Sequence, residues 1–135
     1  MPEKFLGYCC SLCGAEYAPD EITYTCPRDG GNLDVVLDYA AIRRSGADDL
    51  LLKGEPGLWR YLPLLPVPEP GGLGTPFRAS GGTPVYALPR LAERLGLKAL
   101  WLKDESRNPS ASFKDRASAV VVARARQIGA GTVVT

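Results

Sequence analysis

The chain has 135 residues, 45% of them hydrophobic and 23% charged, a composition that suits one modest domain or a small module joined to part of a larger one. Its 16 basic and 15 acidic residues leave a net charge of +1, which offers no electrostatic surface to nucleic acid or to an acidic partner. Histidine is absent, so acid–base work falls to Lys, Asp, Glu, Tyr or Cys, and a zinc site must be built from thiolates with at most a carboxylate. The longest apolar runs, such as residues 119–123, are far shorter than the ~20 residues of a membrane span. Met1-Pro2-Glu3-Lys4-Phe5 leads into polar, Cys-containing sequence with no secretory pattern, so the expectation is a cytoplasmic globular protein.

All four cysteines fall within residues 5–36, punctuated by Gly14, Pro27, Gly30 and Gly31. Residues 16–25 read as two short strands around a Pro19-Asp20 turn, and residues 32–37 alternate polar and apolar as a further strand. Cys10-x-x-Cys13 followed by Cys26-x-x-Asp29 has the spacing of a zinc ribbon, in which two tight turns each offer two ligands to a tetrahedral metal. Asp29 stands where the fourth thiolate would be; a carboxylate oxygen binds zinc with less assured geometry. Cys9 is expected to point elsewhere. Residues 1–37 are therefore expected to be a small β module stapled by a structural zinc, with a metal-free remnant of such a ribbon as the alternative.

Residues 38–82 connect. Asp38 is placed to cap a short helix over residues 39–44, stopped by Ser45-Gly46. Residues 58–67, Leu-Trp-Arg-Tyr-Leu-Pro-Leu-Leu-Pro-Val, followed by a Pro/Gly-rich stretch to Gly82, suggest an extended arm and not an isolated helix.

Residues 83–135 have α/β character. A strand over 85–88 is followed by a helix with Pro89 in its first turn and Gly96 at its stop. A second strand spans 99–103. Ser112 and Asp115 have the form of a capping box for a helix that runs through Ala117, Val120, Val121 and Ala125 to Gly129, and residues 132–135 begin another strand. Strand–helix–strand alternation predicts a parallel sheet, and a buried parallel sheet needs more strands and helices than these residues hold. This part is thus expected to open a larger catalytic domain.

Lys114 falls at the first turn of that helix, where unpaired N–H groups disfavour an ammonium and favour the neutral amine a Schiff base requires. Spacing alone favours a solvated lysine at a helix start. Ser112-Phe113-Lys114-Asp115-Arg116, preceded by Asn108-Pro109, resembles the cofactor-lysine signature of threonine synthases and their fold-type-II pyridoxal-phosphate relatives. Gly82-Thr83-Pro84-Val85 is similar to the Gly-x-Thr-Pro element of that superfamily, residues 100–105 to the strand entering the lysine loop, and Trp59-Arg60-Tyr61 with Leu64-Leu65-Pro66 to the arm of threonine synthases. Ser110-Ala111 departs from the more usual Thr-Gly, and Val85 from Leu.

The resemblance implies a tryptophan-synthase-beta-like α/β fold of which this chain is the opening part. It implies a lyase that converts O-phospho-L-homoserine and water to L-threonine and phosphate, a homodimer when full length. Lys114, with Phe113 and Ser112, would hold pyridoxal 5'-phosphate; Lys103, Thr83 and Asn108 would lie on the substrate side; Cys10, Cys13, Cys26 and Asp29 would be metal ligands of the ribbon extension found on many threonine synthases. No Gly-rich phosphate loop and no Ser-Thr-Gly-Asn element follow the lysine, so the chain alone is expected to be inactive. The alternatives are a cysteate synthase or a threonine/serine dehydratase on the same fold, or a non-catalytic zinc-ribbon interaction module.

Overall fold

The computed structural model describes residues 4–22 and 24–134. It divides into two compact units, Met1–Gly54 with Arg60–Pro70, and Glu55–Trp59 with Gly71–Thr135.

The first unit is built on a three-stranded antiparallel sheet in the order β2-β1-β3, with β1 over Phe5–Cys10, β2 over Glu16–Tyr17 and β3 over Leu33–Leu37. The central strand, β1, was not expected from sequence. It pairs Tyr8 with Tyr17 and with Val35, and its register against β3 slips between Phe5 and Gly7. The expected pair of strands over 16–25 is reduced to β2: Tyr24 and Thr25 form a bend, and Thr23 lies outside the described residues. Cys10, Ala15 and Cys26 form the buried core, with Tyr17 and Leu33 packed against it.

Beyond β3, α1 spans Tyr39–Arg44 and is capped as expected, the Asp38 carboxylate accepting from Ala41 N–H at 2.7 Å. A four-residue helix, α2, covers Ala47–Leu50. The expected extended arm is instead a seven-residue 3-10 helix over Leu58–Leu64. Its i to i+3 bonding tolerates Pro63, whose missing N–H leaves only one bond unmade.

The second unit is centred on Trp59, fully buried, whose ring lies 5.1 Å from that of Phe77 and whose indole N–H donates to the Phe77 carbonyl at 3.2 Å. Phe77 belongs to α3, Pro76–Ala79, with Thr75 as N-cap and proline in its first turn. The Arg78 guanidinium sits 6.0 Å from the Trp59 ring and is tied to the Glu55 carboxylate. Next come β4 (Val85–Ala87), α4 (Pro89–Arg94) and β5 (Trp101–Lys103). Pro89 opens α4 and Gly96, at φ 66, follows its end, as expected.

The two strands do not run parallel. β4 and β5 pair antiparallel, Val85 opposite Lys103 and Ala87 opposite Trp101. Six residues of α4 span roughly 9 Å, and the Leu88 N–H to Leu100 carbonyl bond shows the chain returning beside itself instead of crossing the sheet. Val85, Tyr86, Trp101 and Leu102 are all exposed, so neither face of this ribbon is covered. α5 (Asp115–Gln127) buries Ala119 and Ala123, one turn apart, while Val121 and Val122 face outward. Residues 132–134 are not a strand; no described neighbour pairs with them, and Thr135 lies outside the described residues. No helix among the described residues is long and apolar enough to cross a membrane.

Candidate functional site

Each unit holds one cluster that can do chemistry. In the first, the ligand atoms of Cys10, Cys13, Cys26 and Asp29 all lie within 4.8 Å of one another. Two equivalent turns bring them together. In one, Gly14 N–H donates to the Cys10 carbonyl at 3.0 Å and Cys10 N–H to the Ala15 carbonyl at 2.8 Å. In the other, Gly30 N–H donates to the Cys26 carbonyl at 2.8 Å and Cys26 N–H to the Gly31 carbonyl at 3.0 Å. Gly14 and Gly30 take the left-handed conformation, φ 69 and 73, that glycine adopts without strain. The main chain therefore treats Asp29 as the counterpart of Cys13.

Cys10 and Cys26 are buried, whereas Cys13 and Asp29 are exposed. Cys10 Sγ lies 3.4 Å from Asp29 Oδ1, and Cys13 Sγ lies 3.7 Å from Cys26 Sγ. The thiol–carboxylate contact between Cys13 and Asp29 holds the Cys13 thiol up at about 12 and draws the Asp29 carboxyl down to about 2. A bound cation reverses this arrangement by favouring thiolates. Room for an ion is preserved at Gly31, where a Cβ would fall 2.7 Å from Cys10 Sγ and 2.9 Å from Asp29 Oδ1. Cys9 stands apart, its Sγ 3.8 Å from the Cys10 carbonyl. Three soft donors and one hard one in this spacing suit zinc in a closed, four-ligand site. Tyr17, which the spacing did not single out, places its hydroxyl 3.0 Å from Cys26 Sγ.

In the second unit, Lys114 is exposed and forms the N-cap of α5. The loop before it is shaped by Ala111, which takes φ 57, and by Ser112, whose Oγ accepts from Lys114 N–H at 3.2 Å. The expected capping box between Ser112 and Asp115 does not form. Asp115 reaches back to Ser110, accepting from its N–H at 2.8 Å and from its hydroxyl. The cause is an extra tight turn: Asp115 N–H bonds the Ser112 carbonyl and Arg116 N–H the Phe113 carbonyl, which moves the helix start past Ser112. The Phe113 ring is exposed.

Behind this loop Lys103, Thr83 and Asn108 converge on Glu105. The Glu105 carboxylate accepts from Thr83 Oγ1 (2.7 Å), Asn108 Nδ2 (2.8 Å), Arg116 Nε (2.8 Å) and Arg116 Nη2 (2.7 Å). Asn108 Oδ1 accepts from Gly81 N–H at 2.8 Å, Arg116 Nη2 donates to the Gly81 carbonyl at 3.1 Å, and Lys103 Nζ donates to the Thr83 carbonyl at 2.9 Å. The Arg116 guanidinium, helped by Thr83 and Asn108, holds the Glu105 carboxyl at about 2. The node fastens the Gly81–Thr83 turn to the residue two positions after Lys114. Glu105 was missed in the sequence because two of its three main side-chain partners, Arg116 and Thr83, lie 11 and 22 positions away, without local periodicity.

Comparison with known proteins bears on both clusters. Residues 77–135 match the family model for pyridoxal-phosphate dependent enzymes. Over 126 residues, 92% of its length, the chain is 46% identical to a threonine synthase of Methanosarcina acetivorans, covering 29% of that protein. It is 42% identical over 124 residues to a threonine synthase of Methanocaldococcus jannaschii, covering 30% of it, and 39% identical over 77 residues to one of Halalkalibacterium halodurans. The chain thus spans under a third of the length of the two relatives it matches along most of its length. No solved structure matches it.

Proposed function

We propose that this chain, whose residues 77–135 match the pyridoxal-phosphate dependent enzymes, supplies the cofactor lysine and a zinc-bearing front unit to a threonine synthase that converts O-phosphohomoserine and water to threonine and phosphate. The observation that carries this reading is the joint match: similarity to threonine synthases runs through both units, over 92% of the chain. The exposed faces of the β4–β5 ribbon supply surface for the further strands and helices of a fold-type-II domain.

The residues present suit the cofactor as a covalent anchor. Lys114 is exposed, so its Nζ is reachable, and it stands at the N-terminus of a 13-residue helix. Bound pyridoxal phosphate supplies an electron sink for charge that develops beside the substrate amine. Lys114 Nζ holds that group and, when free of it, carries protons to and from substrate carbons. Phe113 offers an exposed flat apolar ring at the position before Lys114, and Ser112 fixes the Lys114 N–H and with it the direction in which the side chain leaves the main chain. Lys103, Thr83 and Asn108 act on the substrate side through the Gly81–Thr83 turn that they hold. Cys10, Cys13, Cys26 and Asp29 hold a structural zinc that ties the two turns of the front unit together.

The test is a chimera in which these 135 residues replace the matching segment of the Methanosarcina acetivorans threonine synthase. Phosphate release from O-phosphohomoserine is expected, with no comparable turnover of phosphoserine, serine or threonine, and Lys114→Ala is expected to abolish it. Preference for serine or threonine as substrate would replace this reading with a dehydratase. Undiminished activity in Lys114→Ala would sink it.

A further inference from the structure

We infer that Tyr17 is a positioning residue of the metal cluster: its hydroxyl donates to the Cys26 thiolate and holds that ligand in the tetrahedral set. The inference rests on reading Cys10, Cys13, Cys26 and Asp29 as a metal site.

The geometry is direct. Tyr17 Oη lies 3.0 Å from Cys26 Sγ. Either atom can donate while the cysteine is a thiol, but a metal-bound thiolate has no proton, so only the tyrosine can donate once an ion is present. The hydroxyl is held ready. Tyr17 sits on β2, opposite Tyr8 of β1, and its ring packs against the core of Cys10, Ala15 and Cys26. Little side-chain freedom remains to be lost when the ion binds.

The ligands' other hydrogen bonds show why this one matters. Cys10 Sγ accepts from Leu12 N–H at 3.4 Å, and Asp29 Oδ1 accepts from Gly31 N–H at 2.8 Å. Both donors are main chain and come with the turns themselves. Cys26 also takes main-chain N–H donors from its own turn, at Arg28 and Asp29, but the bond from Tyr17 comes from a side chain on β2, nine positions earlier, so the sequence can keep it or lose it independently of the turns. Three thiolates and a carboxylate carry four negative charges around a dication. A hydrogen bond from outside disperses charge on one sulfur and fixes its direction toward the ion, as outer partners of metal ligands generally do. Asp29 is the weakest-fitting donor for zinc in this set, so directional control of the remaining ligands carries more of the affinity.

Tyr17→Phe removes one oxygen and keeps the packed ring. Zinc affinity is measured by competition with a chromophoric chelator, and cobalt(II) replaces zinc to report on the sulfur ligands by absorption. We expect Kd for zinc to rise roughly tenfold to a hundredfold, and the sulfur-to-cobalt charge-transfer band to move to longer wavelength, because a thiolate that loses a hydrogen bond gives up electron density more readily. Tyr8→Phe, whose ring instead meets Phe5 at 5.1 Å, is expected to change neither. The band position is the reading that a purely structural role for Tyr17 would leave in place. Wild-type metal binding with both readings unchanged in Tyr17→Phe would overturn the inference and leave the metal site standing. A wild-type chain that binds neither ion would overturn both.

Discussion

Replacing Arg116 by Gln tests how the lysine loop is held. Arg116 donates to both oxygens of Glu105, to the Gly81 carbonyl and to Thr83 Oγ1. Breaking a fully buried ion pair costs about 3–5 kcal/mol, whereas an exposed pair contributes about 0–1 kcal/mol. The Arg116 and Glu105 side chains are 28% and 24% exposed, so most of the buried penalty applies and we expect a loss of about 2–3 kcal/mol for Arg116→Gln. Glu105 retains Thr83 and Asn108 as donors, which keeps the cost below the upper limit. Urea unfolding followed by tryptophan fluorescence isolates the effect, because Trp59 and Trp101 are the only tryptophans and both belong to the Glu55–Trp59 and Gly71–Thr135 unit. A double-mutant cycle with Glu105→Gln should give a coupling of about 1–2 kcal/mol, the double variant losing less than the two single losses summed. A loss below about 0.5 kcal/mol for Arg116→Gln, or additivity within about 0.5 kcal/mol, would refute the claim that this pair fastens the loop.

The same node sets a pH dependence. The Glu105 carboxyl is lowered in the folded chain from 4.5 to about 2, so its stabilising contribution is present above the unfolded value and is lost as pH falls from about 4.5 toward about 2. Tryptophan-monitored stability should decline through that window in the wild type and decline less in Glu105→Gln. Ala111 occupies a left-handed conformation at φ 57, which costs an L-residue about 1–2 kcal/mol. Ala111→Gly relieves that strain but gains freedom in the unfolded chain, so calorimetry should show a net stabilisation of about 0.5–1 kcal/mol; a lower melting temperature would contradict it.

Much of this was legible because it is local. Asp38 capping α1, Pro89 opening α4 and Gly96 closing it are decided within one helical turn, and the sequence displays them. The Cys-x-x-Cys and Cys-x-x-Asp spacings likewise encode two turns that the main chain builds in the same way. What depended on distant partners was not legible. β1 contains Gly7 and two adjacent cysteines, a weak strand signal on its own, and it becomes the central strand only because β2 and β3 flank it. Strand–helix–strand order suggested a crossover, but a helix of only six residues let the chain fold back into an antiparallel ribbon. Asp115 found Ser110 instead of Ser112 because one added turn displaced the helix start, a shift that residue identities do not reveal. The Glu105 node and the Tyr17–Cys26 bond join residues that only the tertiary fold brings together.

The role of Lys114 is tested most directly by trapping the cofactor on the chimera. After loading with pyridoxal phosphate, borohydride reduction and proteolysis, mass spectrometry locates the pyridoxyl group among the lysines of the grafted segment, Lys4, Lys53, Lys98, Lys103 and Lys114. The group should be found on Lys114, with the peptide carrying Lys103 unmodified, and Lys114→Ala should leave the grafted segment unlabelled. Labelling at Lys103, or an active chimera with no label at Lys114, would contradict the account.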